Sequence, residues 1–380
     1  MTTPIAAVRA QDPYPYYASL VADRPFAYDA TLNAWVAADA TAVQAVLAAP
    51  QLRVRPTSEP VPTGIKGTAA GDVFADLVRM TDGPDHHRLK SLVARTLAAA
   101  DLTEAAATAT THTQKALAEA GGPIPYDDLM FAVPARTVAG LLGLTDGADE
   151  TAARLIADFV QCIPAGATEA QYGAAARAAE TLRDLLAPGL EAGAHGLLAD
   201  LLAAARQDDR QDDRPDTAPL LANALGFLSQ TYDATAGLIG NTLLALARGA
   251  ELPGTPAAVD ALVREVVRYD APIQNTRRFA AEPFGHAGAT VAPGEQVLVL
   301  LAAANRDPAV NPDPHALLPG RVNPAVFTFG AAAHRCPGEE LAAAVAGAVV
   351  GALLAAGWDP AALPAAPAYR PLANARIPVL

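Results

Sequence analysis

Residues 329–338 read Phe-Gly-Ala-Ala-Ala-His-Arg-Cys-Pro-Gly and place one cysteine, Cys336, in a loop bounded by glycine and proline. The basic residues His334 and Arg335 precede it, and a long apolar stretch typical of a helix follows. A cysteine thiolate is a strong axial ligand for haem iron, and nearby cations can hold the acidic edge of a porphyrin. Taken alone, the loop favours the competing interpretation, a buried structural cysteine before a helix.

The composition of the chain indicates a folded globular protein. Hydrophobic residues make up 52% of the 380 positions and charged residues 18%. The formal net charge of −13 argues against a broad basic surface for nucleic acid. Cys162 and Cys336 lie far apart and form no CxxC motif, which favours a reducing compartment. Because no charged leader with an apolar core opens the sequence, we expect no signal peptide and a cytoplasmic location.

One apolar stretch, residues 341–358, is just long enough to be considered as a membrane span. It consists mostly of alanine and glycine and directly follows the Cys336 loop. We therefore expect a buried core helix there, and no association with a membrane.

Helical patterns dominate the sequence, and strand patterns are few and short. The predicted helices cover residues 40–49, 86–100, 102–120, 126–142, 149–162, 169–187, 189–205, 218–248, 256–269 and 339–356. The predicted strands cover residues 26–28, 34–37, 290–291, 296–301 and a C-terminal pair near 369–380. The charge-dense segment 206–216 is predicted to be a solvated loop. We expect a mainly α protein with a small β portion, forming one domain over residues 1–380.

An ordered series of motifs gives the chain a family resemblance. In chain order the series is Glu265-Val-Val-Arg268, Arg278, Asn305-Arg-Asp-Pro308, Arg321, Phe329 and Cys336. Upstream, residues 82–90 read Asp-Gly-Pro-Asp-His-His-Arg-Leu-Lys, and residues 238–241 read Leu-Ile-Gly-Asn. The series resembles the bacterial cytochromes P450, and the matching segments extend from about residue 12 to residue 380.

The resemblance implies the cytochrome P450 helical fold, with haem b (iron protoporphyrin IX) between the long central helix and the helix that follows the Cys loop. Cys336 would be the iron ligand. The other residues at haem-binding positions are His86, Lys90, Arg278, His334 and Phe329, the four basic ones matching positions that hold the propionates. Glu265, Arg268 and Arg321 would form a buried ion network that fixes the Cys loop.

The sequence departs from the family pattern in the Cys loop and in the propionate set. Ala332 stands where the family loop usually carries a glycine that supports a tight bend, so an altered loop is expected. Lys90 stands in place of the more usual arginine, which keeps the charge and loses the planar fork.

The central helix departs further. Its family pattern is small-Gly-x-acid-Thr, whereas residues 230–234 read Gln-Thr-Tyr-Asp-Ala. Asp233 matches the acid, and Ala234 replaces the alcohol that helps to deliver protons to dioxygen. Thr235 is one residue late, which turns it about 100° around the helix. Thr231, Gln230 or a water that they hold could replace the missing alcohol; alternatively, Gln230 and Thr231 cap a local distortion of the helix, as back-bonding side chains can.

The resemblance also implies a function: a haem-thiolate monooxygenase or oxidase that tailors a secondary metabolite. The reaction would be C–H hydroxylation or, because Ala234 replaces the alcohol, oxidative (aryl) coupling. Electrons would come from ferredoxin and its reductase, and O₂ would be the oxidant. Residues 274–277 read Gln-Asn-Thr-Arg at an expected pocket position, which favours a peptide- or amino-acid-derived substrate.

Two other classes stay open from the sequence. A haem-thiolate protein that senses or carries without catalysis is compatible with Ala234, although Asp233 argues against it. A non-haem metal site could use His334 and Cys336 with His86 or His87, but it leaves the arginine series unexplained.

Overall fold

The computed structural model describes residues 3–164, 166–208 and 216–380. Within them the chain forms two compact units that interleave along the sequence. The strand-bearing unit comprises Met1–Ser58, Ala234–Cys336 and Val350–Leu380, and the helical unit comprises Glu59–Asp233 and Pro337–Val349. The expectation of a single domain over residues 1–380 stays a prediction.

The strand-bearing unit is built on a five-stranded sheet in the order β1-β2-β7-β4-β3. The strands of this unit are β1 Phe26–Asp29, β2 Ala34–Ala37, β3 Leu52–Arg53, β4 Thr276–Ala280, β5 Phe284–His286, β6 Ala289–Val291 and β7 Gln296–Val299. Strands β2 and β7 pair in parallel, with Trp35 opposite Val297, and the other pairs in the sheet are antiparallel. Strands β5 and β6 form a hairpin whose two turn residues, Ala287 and Gly288, have positive φ, as a tight hairpin requires.

The helices of the strand-bearing unit pack on this sheet and on each other. They are α1 Pro4–Ala7, α2 Tyr14–Asp23, α3 Ala40–Ala48, α12 Pro256–Tyr269 and α13 Leu301–Ala304. Their starts are encoded locally: the Asp39 side chain accepts from Ala42 N at α3, and Thr255 accepts from Ala258 N at α12.

The helical unit contains α4 Ala69–Asp76, α5 Pro84–Ala98, α6 Leu102–Ala120, α7 Val133–Leu141, α8 Ala148–Val160, α9 Glu169–Leu186 and α10 Leu197–Asp208. Helix α9 begins with a capping box in which Thr168 and Gln171 bond reciprocally, and α6 ends at Gly121 in the left-handed conformation. Two further helices, α11 Ala218–Ala247 and α14 Glu339–Ala355, have residues in both units.

The C-terminal segment is fixed inside the strand-bearing unit by Arg376, which is 1% exposed. Its Nε donates to Asp270 Oδ1 over 2.8 Å, and its other nitrogens donate to the carbonyl oxygens of Val8, Ala10 and Gln11. The second half of α11 also approaches this segment closely: a Cβ at Gly237 would lie 3.0 Å from Arg376 O and 2.9 Å from Pro272 Cβ. Only glycine fits at this contact.

The helix and strand predictions are confirmed in most places, and the differences have local causes. The predicted helix 189–205 begins instead at Leu197, because Gly193 and Gly196 adopt positive φ and a helix cannot pass through them. A π-turn, Asp128–Ala132, replaces the start of the predicted helix 126–142. The predicted strand 296–301 ends at Val299, and the C-terminal strand pair is limited to isolated bridges such as Tyr369 with Pro378.

The sequence patterns missed elements that are short or irregular in their hydrophobic spacing, namely α1, α2, α4, α13, β3, β4 and β5. The predicted loop 206–216 begins later than expected, since α10 continues to Asp208, and residues 209–215 lie outside the described part. The apolar stretch 341–358 belongs mainly to α14, and none of the described helices is long and apolar enough to cross a membrane.

Candidate functional site

The Cys336 loop lies between a short 3₁₀ helix, Ala332–His334, and α14. The Cys336 N–H donates to Phe329 O over 2.7 Å, and Gly330 N–H donates to Phe327 O over 2.7 Å. These bonds fold the loop back on itself and leave the Cys336 side chain half-buried. The loop therefore presents a thiol from a backbone that is held in place.

Ala332 occupies a left-handed position in this loop, with φ at +54°. A residue with a Cβ is strained in that region, whereas glycine is not. Glycine is usual at this position in the family that the sequence resembles. In this chain the loop keeps its bend, with an alanine in a strained backbone conformation.

The predicted ion network is present on α12 and is almost completely buried. Arg268 and Glu265 form a two-bond pair, with Nη2 2.6 Å from Oε1 and Nε 3.1 Å from Oε2, and their side chains are 0% and 2% exposed. Arg321 Nε lies 3.4 Å from the same Oε1. The remaining Arg268 donors reach the carbonyl oxygens of Asn305, Pro314 and Ala316. The charges are thereby paired and hydrogen-bonded, as burial demands.

Asn305 connects this network to the base of the Cys loop. Its backbone oxygen accepts from Arg268, and its side chain accepts from Phe327 N and donates to Thr328 Oγ1. Thr328 in turn donates to Val267 O on α12. The sequence analysis listed Asn305 only as part of a motif, and the structure assigns it the position of a link between α12 and the residues that open the Cys loop.

The predicted cofactor contacts are divided between the two units. Cys336, Phe329, His334 and Arg278 belong to the strand-bearing unit, and His86 and Lys90 belong to the helical unit. Arg278, on β4, is 5% exposed and donates to Arg277 O over 2.8 Å. A buried cation with a fixed side chain is suited to an acidic ligand. Their assignment to haem stays a prediction.

His86 and Lys90 lie one turn apart on α5, and His86 is 1% exposed. His86 Nδ1 is 2.8 Å from Val78 O. Because a carbonyl oxygen only accepts, Nδ1 carries a proton, and Nε2 is the atom whose protonation decides the charge of the ring. This bond fixes the orientation of the imidazole.

The central helix α11 continues without a break through the predicted distal residues. Gln230 is exposed and residues 231–234 are half-buried, whereas the turns before and after them are buried. Gln230 Nε2 donates to Gly226 O over 3.0 Å, and Thr231 Oγ1 donates to Phe227 O over 2.8 Å. Both side chains bond back to the helix, as the alternative interpretation requires, but α11 shows no interruption there. The replacement of the alcohol by Thr231 or Gln230 stays a prediction.

Thr235 lies one turn after Thr231 on α11 and is buried, whereas Thr231 is half-buried. Among the atoms that the structure describes, its Oγ1 has no hydrogen-bond partner. Thr242, two turns later, instead donates to Leu238 O. Ala234 leaves no alcohol at the family's usual position.

The sequence predicted that residues 274–277 would offer polar groups to a ligand. In the structure, the amide donors of Gln274 and Asn275 are bonded within the protein. The Gln274 amide is fully buried and donates to Ala271 O and Tyr14 Oη, and the Asn275 amide donates to Ala373 O. Arg277 is exposed on β4. The inference of a polar substrate from Gln274 and Asn275 therefore loses its basis, because their donors are used within the protein.

The sequence analysis also missed Arg79, in the 3₁₀ helix Val78–Met80 of the helical unit. Burial lowers the pKa of Arg79 to about 10, while the nearby Asp233 carboxylate and Cys162 raise it. Arg79 lies three residues from Asp76 and from Asp82, a spacing typical of an ordinary surface ion pair. Nothing in the sequence therefore distinguishes Arg79 from a surface residue. Its burial is a tertiary property that no sequence signal reveals.

The described residues give no support to a non-haem metal site. Over residues 3–164, 166–208 and 216–380, no three His, Cys, Asp or Glu side chains gather in a group that could hold a metal ion.

Comparison with known proteins identifies the class of the chain. A sequence profile described as Cytochrome P450 matches residues 257–356. Vitamin D(3) 25-hydroxylase of Pseudonocardia autotrophica is 31% identical over 287 residues, which cover 73% of this chain and 69% of that protein. The cytochrome P450 monooxygenase PikC of Streptomyces venezuelae is 30% identical over 361 residues, or 91% of this chain and 84% of that protein. The crystal structure of CalO2 matches with a TM-score of 0.84 at 24% identity, covering 99% of this chain and 96% of the other.

Proposed function

The chain belongs to the cytochrome P450 family, and from that premise we propose that it is a haem-thiolate monooxygenase that hydroxylates a C–H bond of a secondary metabolite. The relatives named above as hydroxylase and monooxygenase support this reaction class. The observation that carries the proposal is the Cys336 loop, whose backbone is fixed by Phe329 and tied through Asn305 to the buried Glu265–Arg268 pair.

The donor chemistry of the described residues fits a haem. A thiol in a fixed loop is an axial ligand for iron, and the buried cation Arg278 suits a carboxylate. When bound, haem b would supply the redox chemistry that activates dioxygen. Cys336 would hold the iron, and the propionates and ring would be held by His86, Lys90, Arg278, His334 and Phe329.

The residues proposed to handle protons are Gln230, Thr231 and Asp233, with Ala234 at the position of the missing alcohol. The Thr231 hydroxyl proton is donated to Phe227 O, so its oxygen remains able to accept a hydrogen bond from water. Asp233 would hold the proton that such a water passes on. If Thr231→Val leaves the coupling of oxygen consumption to product unchanged, this role for Thr231 is refuted.

Oxidative coupling is the second candidate reaction, and Ala234 is the observation that favours it. The two reactions are distinguished by labelling: hydroxylation places one atom of ¹⁸O₂ in the product, whereas coupling places none. A peptide- or amino-acid-derived substrate stays part of the proposal, although residues 274 and 275 no longer support it. We expect ferredoxin and ferredoxin reductase to supply the electrons.

The decisive experiment compares the two cysteines. The protein is expressed with ample haem precursor, and its haem content and the absorbance of the reduced carbon monoxide complex are measured. We expect Cys336→Ala to lose the thiolate spectral signature. Cys162→Ala is the matched control, since the Cys162 thiol is buried and donates to Phe159 O over 3.1 Å.

Retention of the thiolate signature in Cys336→Ala would refute the proposed ligand. Catalysis is tested separately by turnover driven by NADH and a ferredoxin pair, because a sensor would bind haem and carbon monoxide but convert no substrate.

A further inference from the structure

A small cavity lies over one face of the five-stranded sheet, entirely within the strand-bearing unit. Its volume is about 50 Å³. A single water needs about 10–15 Å³, so about four groups of that size fit inside. The residues that line it are Ile5, Leu32, Ala34, Arg277, Gln296 and Leu298. Ala34 and Leu298 are buried, whereas Arg277 is exposed and Gln296 half-buried, so the cavity has an apolar floor and a polar rim.

The register of the sheet explains why Arg277 lines this cavity and Arg278 does not. Arg277 on β4 pairs with Leu298 on β7, and paired residues share one face of a sheet. Arg278 pairs with Val297 and lies on the opposite face, because successive side chains of a strand alternate. The sheet therefore separates the cavity from the residue that is proposed to hold a haem propionate.

The two polar groups at the rim have no partner among the described residues. Neither the Arg277 guanidinium nor the Gln296 side-chain amide forms a hydrogen bond or an ion pair in that part of the chain. Gln296 pairs with Phe279, two residues from Arg277 on β4, so the two groups lie diagonally across neighbouring strands. One small acceptor can therefore take N–H donors from both side chains.

The charges on this face of the sheet favour an anion. Arg53 on β3 pairs with Phe279, which places a second cation diagonally across from Arg277. The five strands contain one acidic residue, Asp29 on β1. Asp29 lies three strands from β4, roughly 14 Å away, and its carboxylate accepts from the backbone of its own turn. The positive charge at the cavity is therefore not cancelled within the sheet.

We propose that this cavity is a binding site for a short aliphatic carboxylate. The guanidinium of Arg277 binds the carboxylate through two parallel N–H···O bonds, and the Gln296 amide donates a third. A tail of three or four carbons fills the apolar part between Leu298 and the half-buried side chains of Ile5 and Leu32. The site does not depend on the proposed monooxygenase function, because it lies on the other face of the sheet from Arg278.

The test measures how affinity depends on the length and the charge of the ligand. Dissociation constants for the straight-chain acids from acetate to octanoate, and for pentanamide, are measured on the holoenzyme by saturation-transfer NMR. We expect affinity to rise about twofold to fourfold per carbon up to pentanoate and then to level off, because the cavity is full. Pentanamide should bind about fivefold more weakly than pentanoate, the factor for a solvent-accessible charge pair. The haem absorbance should not change.

Four variants assign the site. We expect Arg277→Gln to weaken pentanoate about fivefold and to leave pentanamide within about twofold. Gln296→Leu should weaken both ligands about threefold, because it removes a neutral donor. Ala34→Val fills part of the cavity, so affinity should level off at propanoate. Arg264→Gln, an exposed arginine on α12 of the same unit, is the control and should change nothing.

The proposal is overturned if affinity keeps rising to octanoate, if Arg277→Gln weakens acid and amide equally, or if no acid binds. A haem absorbance that shifts in step with occupancy would place the acid at the haem and overturn the proposal as well. The proposed function fails separately, through absence of the Cys336-dependent thiolate signature. Binding that depends on Arg277 in a preparation without that signature would retain this site and refute the monooxygenase.

Discussion

The arginine at the base of the Cys336 loop, Arg268, and the arginine of the 3₁₀ helix Val78–Met80, Arg79, differ in how far their donors are used within the protein. At the loop, Arg268 meets a carboxylate with two bonds and gives its other donors to three carbonyl oxygens. In the helical unit, Arg79 is half-buried, and its Nε is buried without a hydrogen-bond partner among the described atoms. The difference lies in the side-chain partners.

The comparison distinguishes an arginine whose donors are all used within the fold from one with an unused buried donor. Removing the first kind leaves its partners unpaired, which is the costly case for a buried charge. Removing the second kind eliminates an unmet donor and should cost little stability. The predictions below test this distinction through the free energy of unfolding.

The largest expected effect is on Arg268. We expect Arg268→Met to lower the free energy of unfolding by about 3–5 kcal/mol, because Glu265 is left as a buried charge that keeps only the longer contact with Arg321 and the bond from Leu318 N. Urea denaturation followed by circular dichroism measures it. The control is Arg264→Met on the same helix, whose pair with Asp260 is 2.8 Å long but about half exposed. That control should lose less than about 1 kcal/mol, and equal losses in the two variants would contradict the distinction.

The second prediction concerns the free energy of unfolding at alkaline pH, which depends on the ionisation of the Cys162 thiol. Burial raises the pKa of Cys162 to about 11, above its unfolded value of about 9. A raised pKa of an acid favours the neutral folded form, so the stabilisation is complete below pH 9 and is lost as the pH rises toward 11. We expect the parent to lose about 1 kcal/mol more than Cys162→Ala between pH 8.5 and 10. Parallel stability curves for the two proteins would contradict the assignment.

The third effect is a gain at the Cys loop. Ala332 is strained at φ +54°, so we expect Ala332→Gly to raise the free energy of unfolding by about 0.5–1 kcal/mol. Ala331→Gly is the control, because Ala331 is extended and glycine there should destabilise. A loss of stability in Ala332→Gly would show that the backbone of the Cys336 loop is not strained at residue 332.

The smallest effect is expected at Arg79. We expect Arg79→Met to change the free energy of unfolding by less than about 0.5 kcal/mol, because no bond is broken and a desolvated charge is removed. Denaturation in the absence of added ligand measures it beside Arg268→Met. A loss comparable with that of Arg268→Met would place Arg79 among the structural arginines and remove the contrast between the two regions.

Much of the candidate site could be predicted from the sequence, because it depends on residues a few positions apart or on motifs that follow one another in a fixed order. The spacing of Glu265 and Arg268 predicted a pair, the resemblance placed Arg321 with it, and the structure confirms the network. The family pattern predicted that Ala332 would differ from the usual loop, and its positive φ gives the reason. The expected pocket polarity at residues 274–275 lost its support, because the amide donors of Gln274 and Asn275 bond to Tyr14 and Ala373, which lie far away in the sequence.

The sequence by itself determined the helices whose caps and periodicity lie within a few residues, such as α6 and α12, and the cysteine loop that identifies the family. Only the tertiary structure decided that Arg376 would meet Asp270, 106 positions away, and that the Nε of Arg79 would be buried without a hydrogen-bond partner among the described atoms. The physical reason is that helix capping and hydrophobic spacing act over one or two turns. Burial and ion pairing depend on which distant segments fill the space around a side chain.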